Sequence, residues 1–128
     1  MSYTKKNLNE VEDLAVKGGF SDNQEARFPR EDLNAEETGL SYQVLRPGKR
    51  HAFAHRQKEM EEIFVVLSGS GRVKLDDEIV EVGPMDAIRV APPVARAFEA
   101  DDEGLEILVF GPHRDDDAEI VKDDFWGD

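Results

Sequence analysis

Short apolar or alternating segments recur along the chain from residue 40 onward. Each is four to seven residues long, and turn residues such as Pro47-Gly48 and Gly83-Pro84 separate one segment from the next. The segments are Ser41–Arg46, His51–Gln57, Ile63–Leu67, Arg72–Leu75, Glu78–Val82, Ala87–Val90, Arg96–Glu99 and Leu105–Phe110. Strands of this length and spacing are typical of a sandwich or a barrel. The pattern therefore predicts an all-β fold, with a tight hairpin at Asp76-Asp77.

Two flanking stretches lack this pattern. Residues 1–38 are polar, and we predict an N-terminal extension that packs on the barrel, with a helical turn or extended arm at Val11–Val16 and a short strand at Glu25–Phe28. Residues 112–128 form an acidic C-terminal tail. The pair Phe125-Trp126 in this tail predicts a latch onto the barrel or onto a partner subunit. The barrel itself is assigned to residues 39–111.

The charge balance argues against nucleic acid as a partner. The chain has 29 acidic and 16 basic residues and a formal net charge of −13, and a negative protein repels phosphate backbones. The acidic residues form short clusters, among them Asp76-Asp77, Asp101–Glu103 and Asp115–Asp117. None has the spacing of a calcium-binding loop, so we interpret them as solvated turns and tail.

Composition also bounds the size and location of the protein. A chain of 128 residues fits one domain, and the absence of cysteine excludes disulfides and thiolate ligands. The N-terminal residues lack the apolar core of a signal peptide. The longest apolar run, Ile63–Leu67, is too short to span a bilayer. We therefore expect a soluble, cytoplasmic protein without a membrane partner.

Candidate chemistry is concentrated between His51 and Glu62. In a strand, alternate side chains share a face, so His51, Phe53, His55 and Gln57 are predicted to point into the barrel. Buried polar groups without partners are costly. These side chains are therefore expected either to satisfy one another or to face a wet pocket of ligand size.

This segment resembles the first motif of the cupin superfamily, in which His-x-His is followed by three or four residues, a glutamate, six residues and a glycine. Here the run is His55-x-Gln57, four residues, Glu62, six residues and Gly69. The second cupin motif aligns with Met85, Ala91, Pro93, Arg96 and Ala100, and all five differ from the usual marker residues. The resemblance covers residues 40–111 and implies a small single-domain cupin with an antiparallel jelly-roll barrel, or double-stranded β-helix.

Carried over residue by residue, the family's metal site corresponds to His55, Gln57, Glu62 and Arg96. Metal-binding members usually have three histidines and one glutamate there. Gln57 is a neutral donor, and Arg96 stays protonated, so it places a positive charge where a divalent cation would lie. We therefore expect no tightly bound metal and no other cofactor. A weak divalent metal site, if one exists, would use His55, Gln57 and Glu62.

Two interpretations of the pocket rest on Arg96. In the first, Arg96 anchors a small anionic ligand, because a fork of donors suits a carboxylate. In the second, Arg96 and Glu62 form an internal ion pair, and the chain is a non-catalytic structural or interaction module with a plugged pocket. The predicted ligand-binding residues are His51, Phe53, His55, Gln57, Glu62, Arg96 and Phe98.

A third interpretation is a weak enzyme, either metal-dependent or acid–base. Metal-free acid–base catalysis by His55 with Glu62 suits an isomerase or lyase better than a dioxygenase, which needs the metal. Cupins range over many such activities, so the resemblance does not choose among them. We favour binding over catalysis.

The segment Ile63–Leu67 is apolar at every position. A strand of a lone barrel alternates, so this one is expected to be covered on its outer side as well. We predict a homodimer interface there, which agrees with the dimers common among cupins. Phe64, Phe98 and Phe110 are most simply core residues.

Overall fold

Eight β-strands dominate the computed structural model, which describes residues 2–122 and 124–128. The strands are β1 (Gln24–Arg27), β2 (Thr38–Leu45), β3 (His55–Gln57), β4 (Glu62–Leu75), β5 (Glu78–Val82), β6 (Ala87–Val90), β7 (Arg96–Pro112) and β8 (Ala118–Ile120). All pairings are antiparallel. The all-β fold predicted from the strand spacing is confirmed.

The N-terminal extension contains the helical structure of the described residues. A 3-10 turn spans Leu8–Glu10 and helix α1 spans Leu14–Gly18. Asp13 caps α1 by accepting a hydrogen bond from the Ala15 N–H at 3.0 Å, and the same oxygen accepts from the Ala26 N–H of β1 at 2.9 Å. This carboxylate therefore fixes the helix to the strand that follows it. Among the described residues, no helix is long and apolar enough to cross a membrane.

The sheet curls because β4 and β7 are long and change partners along their length. Residues 62–65 of β4 pair with β6, and residues 63–69 pair with the second half of β7. Residues 71–75 of β4 pair with β5 and with the first half of β7. The register of β4 against β7 shifts between Val66 and Ser68 and again between Gly69 and Gly71. A Cβ on Gly71 would lie 2.1 Å from the Glu99 carbonyl oxygen, so only glycine allows the strands to approach this closely.

The turn between β4 and β5 matches its prediction. Leu75 pairs with Glu78 across a two-residue turn, with Asp76 at φ 53°, a left-handed conformation that aspartate tolerates in such hairpins. The Asp76 side chain also accepts from the Ala95 N–H at 2.9 Å. The hairpin is thereby tied to the segment that leads into β7.

The apolar core lies between the two halves of the curled sheet. The rings of Phe64 on β4 and Phe98 on β7 have centroids 5.1 Å apart and join the two halves. Both rings are fully buried, whereas Phe110, which was expected in the core, is exposed on the outer face. The core cluster consists of Leu45, Phe64, Val66, Val73, Val82, Val90, Phe98, Ala100, Leu105, Ile107 and Val109.

The two flanking stretches both add strands to this sheet. Strand β1 pairs with β2, and β8 pairs with β3. The predicted strand His51–Gln57 is wrong in extent, because regular pairing begins only at His55. Residues 51–54 lie in an irregular segment, so alternation does not set the direction of their side chains.

Candidate functional site

Three of the predicted site residues meet in the barrel interior. His55 on β3 and Arg96 at the start of β7 are cross-strand partners, and Glu62 at the start of β4 lies against both. One oxygen, Oε1 of Glu62, lies 3.2 Å from His55 Nε2 and 3.3 Å from Arg96 Nη1. Arg96 Nη2 donates to the Ala91 carbonyl oxygen at 2.9 Å. The guanidinium is therefore held by the protein itself, as in the ion-pair interpretation.

Arg96 is the most deeply buried charge of this cluster. Its side chain is 1% exposed, whereas that of Glu62 is 14% exposed. Burial lowers the pKa of Arg96, and the nearby carboxylates of Glu62 and Asp76 oppose that shift. Arginine remains charged under these conditions. The Nε–H of Arg96 is buried without a hydrogen-bond acceptor among the described residues.

Gln57 is turned away from this cluster. Its amide Nε2 donates to Asp117 Oδ2 at 3.0 Å, and Met60 Sδ lies 3.4 Å away. The Asp117 carboxylate also accepts from the backbone N–H groups of Glu59 at 3.0 Å and Met60 at 2.9 Å. Burial raises the pKa of Asp117, but these hydrogen bonds outweigh it and bring the pKa below its usual value.

Asp117 corrects one interpretation of the sequence. The cluster Asp115–Asp117 was expected to be solvated, yet the Asp117 side chain is buried against the β3–β4 loop. Nothing in the local sequence separates Asp117 from its exposed neighbours. Its role arises from a pairing of the tail with β3, about 60 residues earlier in the chain.

His51 belongs to a second polar chain inside the barrel. Its Nδ1 accepts from the Phe98 backbone N–H at 3.0 Å, so the ring proton is on Nε2, which donates to Gln43 Oε1 at 2.6 Å. Gln43 in turn donates to Ser41 Oγ at 3.0 Å. Desolvation, with a smaller contribution from His55, lowers the pKa of His51 to about 3. His51 is therefore a neutral, fixed group at physiological pH.

Ser41 and Gln43 were missed by the sequence analysis. They alternate along β2 with Tyr42 and Val44 and share the inward face with the buried Leu45. This alternation was visible in the sequence, and it places two polar residues on the face of β2 that carries a core leucine.

The two aromatic residues of the predicted lining lie elsewhere. Phe53 does not point into the barrel: it is 51% exposed and packs edge-on against Phe20, with ring centroids 5.3 Å apart. Phe98 is fully buried and contacts the rings of Phe64 and His51. It is a core residue, which was its simpler interpretation.

A groove of about 800 Å³ reaches the cluster from outside. Its lining includes the buried residues Ser41, Gln57 and Val109 and the partly buried Glu62. Its walls come from the N-terminal extension, the ends of β2 and β7, and residues 113–118 of the tail. Of the seven predicted site residues, Gln57 and Glu62 line this groove. The cluster is therefore open to the groove through the side chain of Glu62.

The groove combines apolar walls with negative charge. Its acidic residues outnumber its basic residues, Arg30 and Arg114, and Arg114 lies 3.9 Å from Glu59. Phe28 and Phe110 offer exposed aromatic surface in the same groove. The acidic lining residues are Glu12, Glu31, Asp32, Glu62, Asp116 and Asp117.

The residues present do not fit the metal that the cupin resemblance implies. The described residues contain no group of three or more histidine or carboxylate side chains placed to hold an ion. Gln57 is bound to Asp117, and the Arg96 guanidinium lies 3.3 Å from Oε1 of Glu62, the carboxylate of this residue set. A divalent cation about 4 Å from that charge is repelled by on the order of 8 kcal/mol at an effective dielectric of 20.

Fold and site thus define an antiparallel β-barrel with a charged cluster between its two halves. Residues 41–111, more than half of the chain, match the family model of the cupin domain. The chain therefore belongs to the cupin family, and the resemblance noted in the sequence is confirmed. No curated protein sequence matches the chain.

Solved structures agree on the jelly-roll fold. A cupin protein from Bacteroides fragilis has a TM-score of 0.72 and 22% identity, with 91% of this chain and 88% of that chain covered. A cupin-superfamily sugar phosphate isomerase from Silicibacter pomeroyi has a TM-score of 0.75 and 18% identity, with 94% and 83% covered. The polyketide cyclase RemF from Streptomyces resistomycificus has a TM-score of 0.74 and 20% identity, with 92% and 84% covered.

Proposed function

We propose that this cupin binds a small organic ligand in the groove that ends at Glu62, without a tightly held metal. One observation carries the proposal. Glu62 Oε1 is in hydrogen-bond contact with both His55 and the buried Arg96. The same side chain also lines a groove of ligand size. A fixed carboxylate at the end of a partly apolar cavity is the usual design of a small-molecule site.

The charges of the groove favour a neutral or cationic ligand over the anion expected from the sequence. The charge of Arg96 is already balanced by Glu62, so it does not supply a free positive anchor. The acidic lining repels an anion, and the exposed face of Phe28 suits an organic ammonium group. An anionic ligand is the alternative, and a thermal-shift screen that includes carboxylates distinguishes it from a neutral or cationic ligand.

A second candidate is metal-free acid–base catalysis. The contact between His55 and Glu62 supports it, since a histidine and a carboxylate 3.2 Å apart beside a cavity can hold and move a proton. Two of the similar structures are described as an isomerase and a cyclase. An isomerase or lyase activity fits this pair better than oxygenase chemistry. The plugged module is less well supported, because the groove reaches Glu62.

A thermal-shift screen with matched ligands tests the proposal. Small primary amines, the corresponding alcohols and the corresponding carboxylates are added in turn, with and without a chelator. We expect amines or alcohols to raise the melting temperature, and the Glu62→Gln variant to lose this shift. Glu61→Gln is the matched control, because Glu61 is an exposed neighbour paired with Arg89.

Three outcomes contradict parts of the proposal. A shift produced by carboxylates alone and lost in Arg96→Met restores the anion pocket. Stoichiometric metal in the purified protein, with a shift abolished by the chelator, overturns the metal-free site. An absence of any shift, together with turnover of a small substrate that depends on His55, favours the enzyme.

We also propose that the chain forms a homodimer through the outer face of β4. Ile63 is 39% exposed and pairs with Phe110 of β7, and Leu67 is exposed on the same face of β4. A contiguous apolar patch of this kind is typical of an interface between subunits. Ile63→Glu is expected to give a monomer in sedimentation velocity, whereas Ile79→Glu, at an isoleucine 46% exposed on β5, is expected not to. The cytoplasmic location stays a prediction.

A further inference from the structure

The C-terminal segment 124–128 lies on a platform of charged residues on the outer face of the barrel. Arg72 on β4 and Glu99 on β7 are cross-strand partners, and Arg50 forms a bridge to Glu99 from the other side. Lys74 lies two residues beyond Arg72 on the same face of β4. We name the set Arg50, Arg72, Lys74 and Glu99 the arginine platform.

Glu99 orients the two guanidinium groups of the platform. One carboxylate oxygen lies 2.5 Å from Arg50 Nε, and the other lies 2.7 Å from Arg72 Nε. These ion pairs fix both guanidinium planes and leave their faces and outer nitrogen atoms available. Burial raises the pKa of Glu99. The hydrogen bonds from Arg72 and Arg50 together outweigh this effect, so the pKa of Glu99 lies below its ordinary value. The platform is therefore organised by groups other than the segment that it holds.

The segment uses both features of the platform. The guanidinium of Arg50 lies 4.4 Å from the centre of the Trp126 ring and that of Arg72 5.3 Å from it, which is cation–π geometry. The two outer nitrogens of Arg50 bind the two side-chain oxygens of Asp128, at 2.9 and 2.5 Å, a bidentate pair. Lys74 lies over the Phe125 ring and donates to the Phe125 carbonyl oxygen.

The other end of the tail covers the proposed ligand site. Strand β8 pairs with β3 beside His55, and Asp117 holds Gln57 and the backbone of residues 59–60. Residues 113–118 form one wall of the groove. The tail is thus fastened at two places, one at the site and one at the platform.

We propose that the arginine platform is a recognition site for an aromatic–acidic peptide segment, that its occupant is the chain's own residues 124–128, and that this docking holds the tail closed over the groove. Release of Trp126 and Asp128 removes the distal attachment of the tail. Strand β8 and Asp117 then open more often, and the loop 58–60 loses the carboxylate that binds its N–H groups. The control of ligand access rests on the proposed function, whereas the docking itself does not.

Hydrogen exchange of the ligand-free, full-length protein tests the docking. We expect Trp126→Ala and Asp128→Asn to raise the exchange rates of residues 58–60 and 118–120 about tenfold, since these amides open with the tail. The exposed Asp102 supplies the control Asp102→Asn, for which we expect no change. Unchanged protection of core amides in β4 and β7 confirms that each variant is folded.

A peptide added in trans separates recognition from general destabilisation. A synthetic peptide of residues 115–128 is expected to restore slow exchange at 58–60 in the Trp126→Ala variant, and the same peptide with alanine at the tryptophan is expected to fail. The proposal is overturned if exchange at 58–60 and 118–120 is unaffected by both variants, or if the two peptides act equally. Faster exchange combined with no ligand in the thermal-shift screen would retain the docking and reject only the ligand site.

Discussion

The two members of the central ion pair, Arg96 and Glu62, differ in how deeply each side chain is buried. Arg96 is almost fully enclosed and stays charged, whereas the Glu62 side chain is partly exposed to solvent. Removing the carboxylate therefore deprives a buried guanidinium of its contacting counter-charge. Removing the guanidinium leaves only a partly exposed carboxylate. The asymmetry makes the pair testable by mutation of each member alone.

Glu62→Gln is expected to lower the free energy of unfolding by about 3 kcal/mol, since it leaves the buried Arg96 with only the weaker attraction of Asp76. Arg96→Met is expected to cost less, and the double variant is expected to recover most of the loss of Glu62→Gln. Urea denaturation of the four proteins as a double-mutant cycle measures the coupling. Equal costs for the two single variants would contradict the asymmetry.

His51 gives the fold a dependence on pH. Its pKa is about 3 in the fold and about 6.5 in the unfolded chain, so below pH 6.5 the unfolded chain binds a proton that the folded protein does not. Stability is therefore lost as the pH falls from 6.5 towards 3, by at most about 1.4 kcal/mol per pH unit. Between pH 7 and 5.5 the expected loss is about 1 kcal/mol.

The variant His51→Gln isolates this contribution. Glutamine can accept from the Phe98 N–H and does not titrate, so its free energy of unfolding should fall less than that of the natural protein over this range. The comparison is made by chemical denaturation at each pH. Parallel pH profiles of the two proteins would assign the dependence to other groups.

Motif spacing predicted which charged residues meet, whereas strand alternation did not predict correctly which residues line the pocket. His55, Glu62 and Arg96 meet as the motif spacing implies, because the two halves of a jelly roll bring these positions together. Phe53 was misplaced because alternation holds only within a paired strand, and β3 begins after it. The partner of Gln57 could not be foreseen, since Asp117 comes from a distant segment.

At the scale of elements, apolar spacing located the barrel strands but divided β4 and β7 into two segments each. Of the two flanking strands it found only the first. Strand β1 lies within one residue of the predicted strand Glu25–Phe28. Strand β8 was not foreseen, because its three residues are exposed and too few to establish a strand pattern. Its pairing with β3 depends on backbone hydrogen bonds, which leave little trace in side-chain pattern.

Gly71→Ala is expected to destabilise the barrel, because its Cβ would meet the Glu99 carbonyl oxygen where β4 and β7 change register. The strands must separate locally, at a cost of about 2 kcal/mol. Gly83→Ala is the control, since no atom lies within 4 Å of its Cβ position. Chemical denaturation measures the free energy of unfolding of both variants. A Gly71→Ala variant as stable as Gly83→Ala would contradict the predicted steric clash.

At the scale of the whole molecule, a net charge of −13 acts on every part of the fold. We expect repulsion among the 29 acidic residues to exceed the attraction of the surface ion pairs, because exposed ion pairs are weak. We expect the melting temperature to rise between about 10 and 150 mM salt, as the screening length falls from about 30 to about 8 Å.

Calorimetry in sodium chloride and in potassium chloride measures this dependence and separates screening from binding of a particular ion. Similar increases in the two salts are expected. A melting temperature that falls with salt would mean that the ion pairs, Arg50 with Glu99 among them, outweigh the repulsion.

The two terminal positions of the strand order β1-β2-β7-β3-β8 are both filled by the flanking stretches. A sheet edge presents unpaired N–H and C=O groups on which a further chain can assemble. Strand β8 is only three residues long and lies beside acidic residues, so it is a poor template for such growth. Opening of the tail would expose β3 instead, so we expect the proposed fastening of Trp126 and Asp128 to protect this edge against aggregation as well.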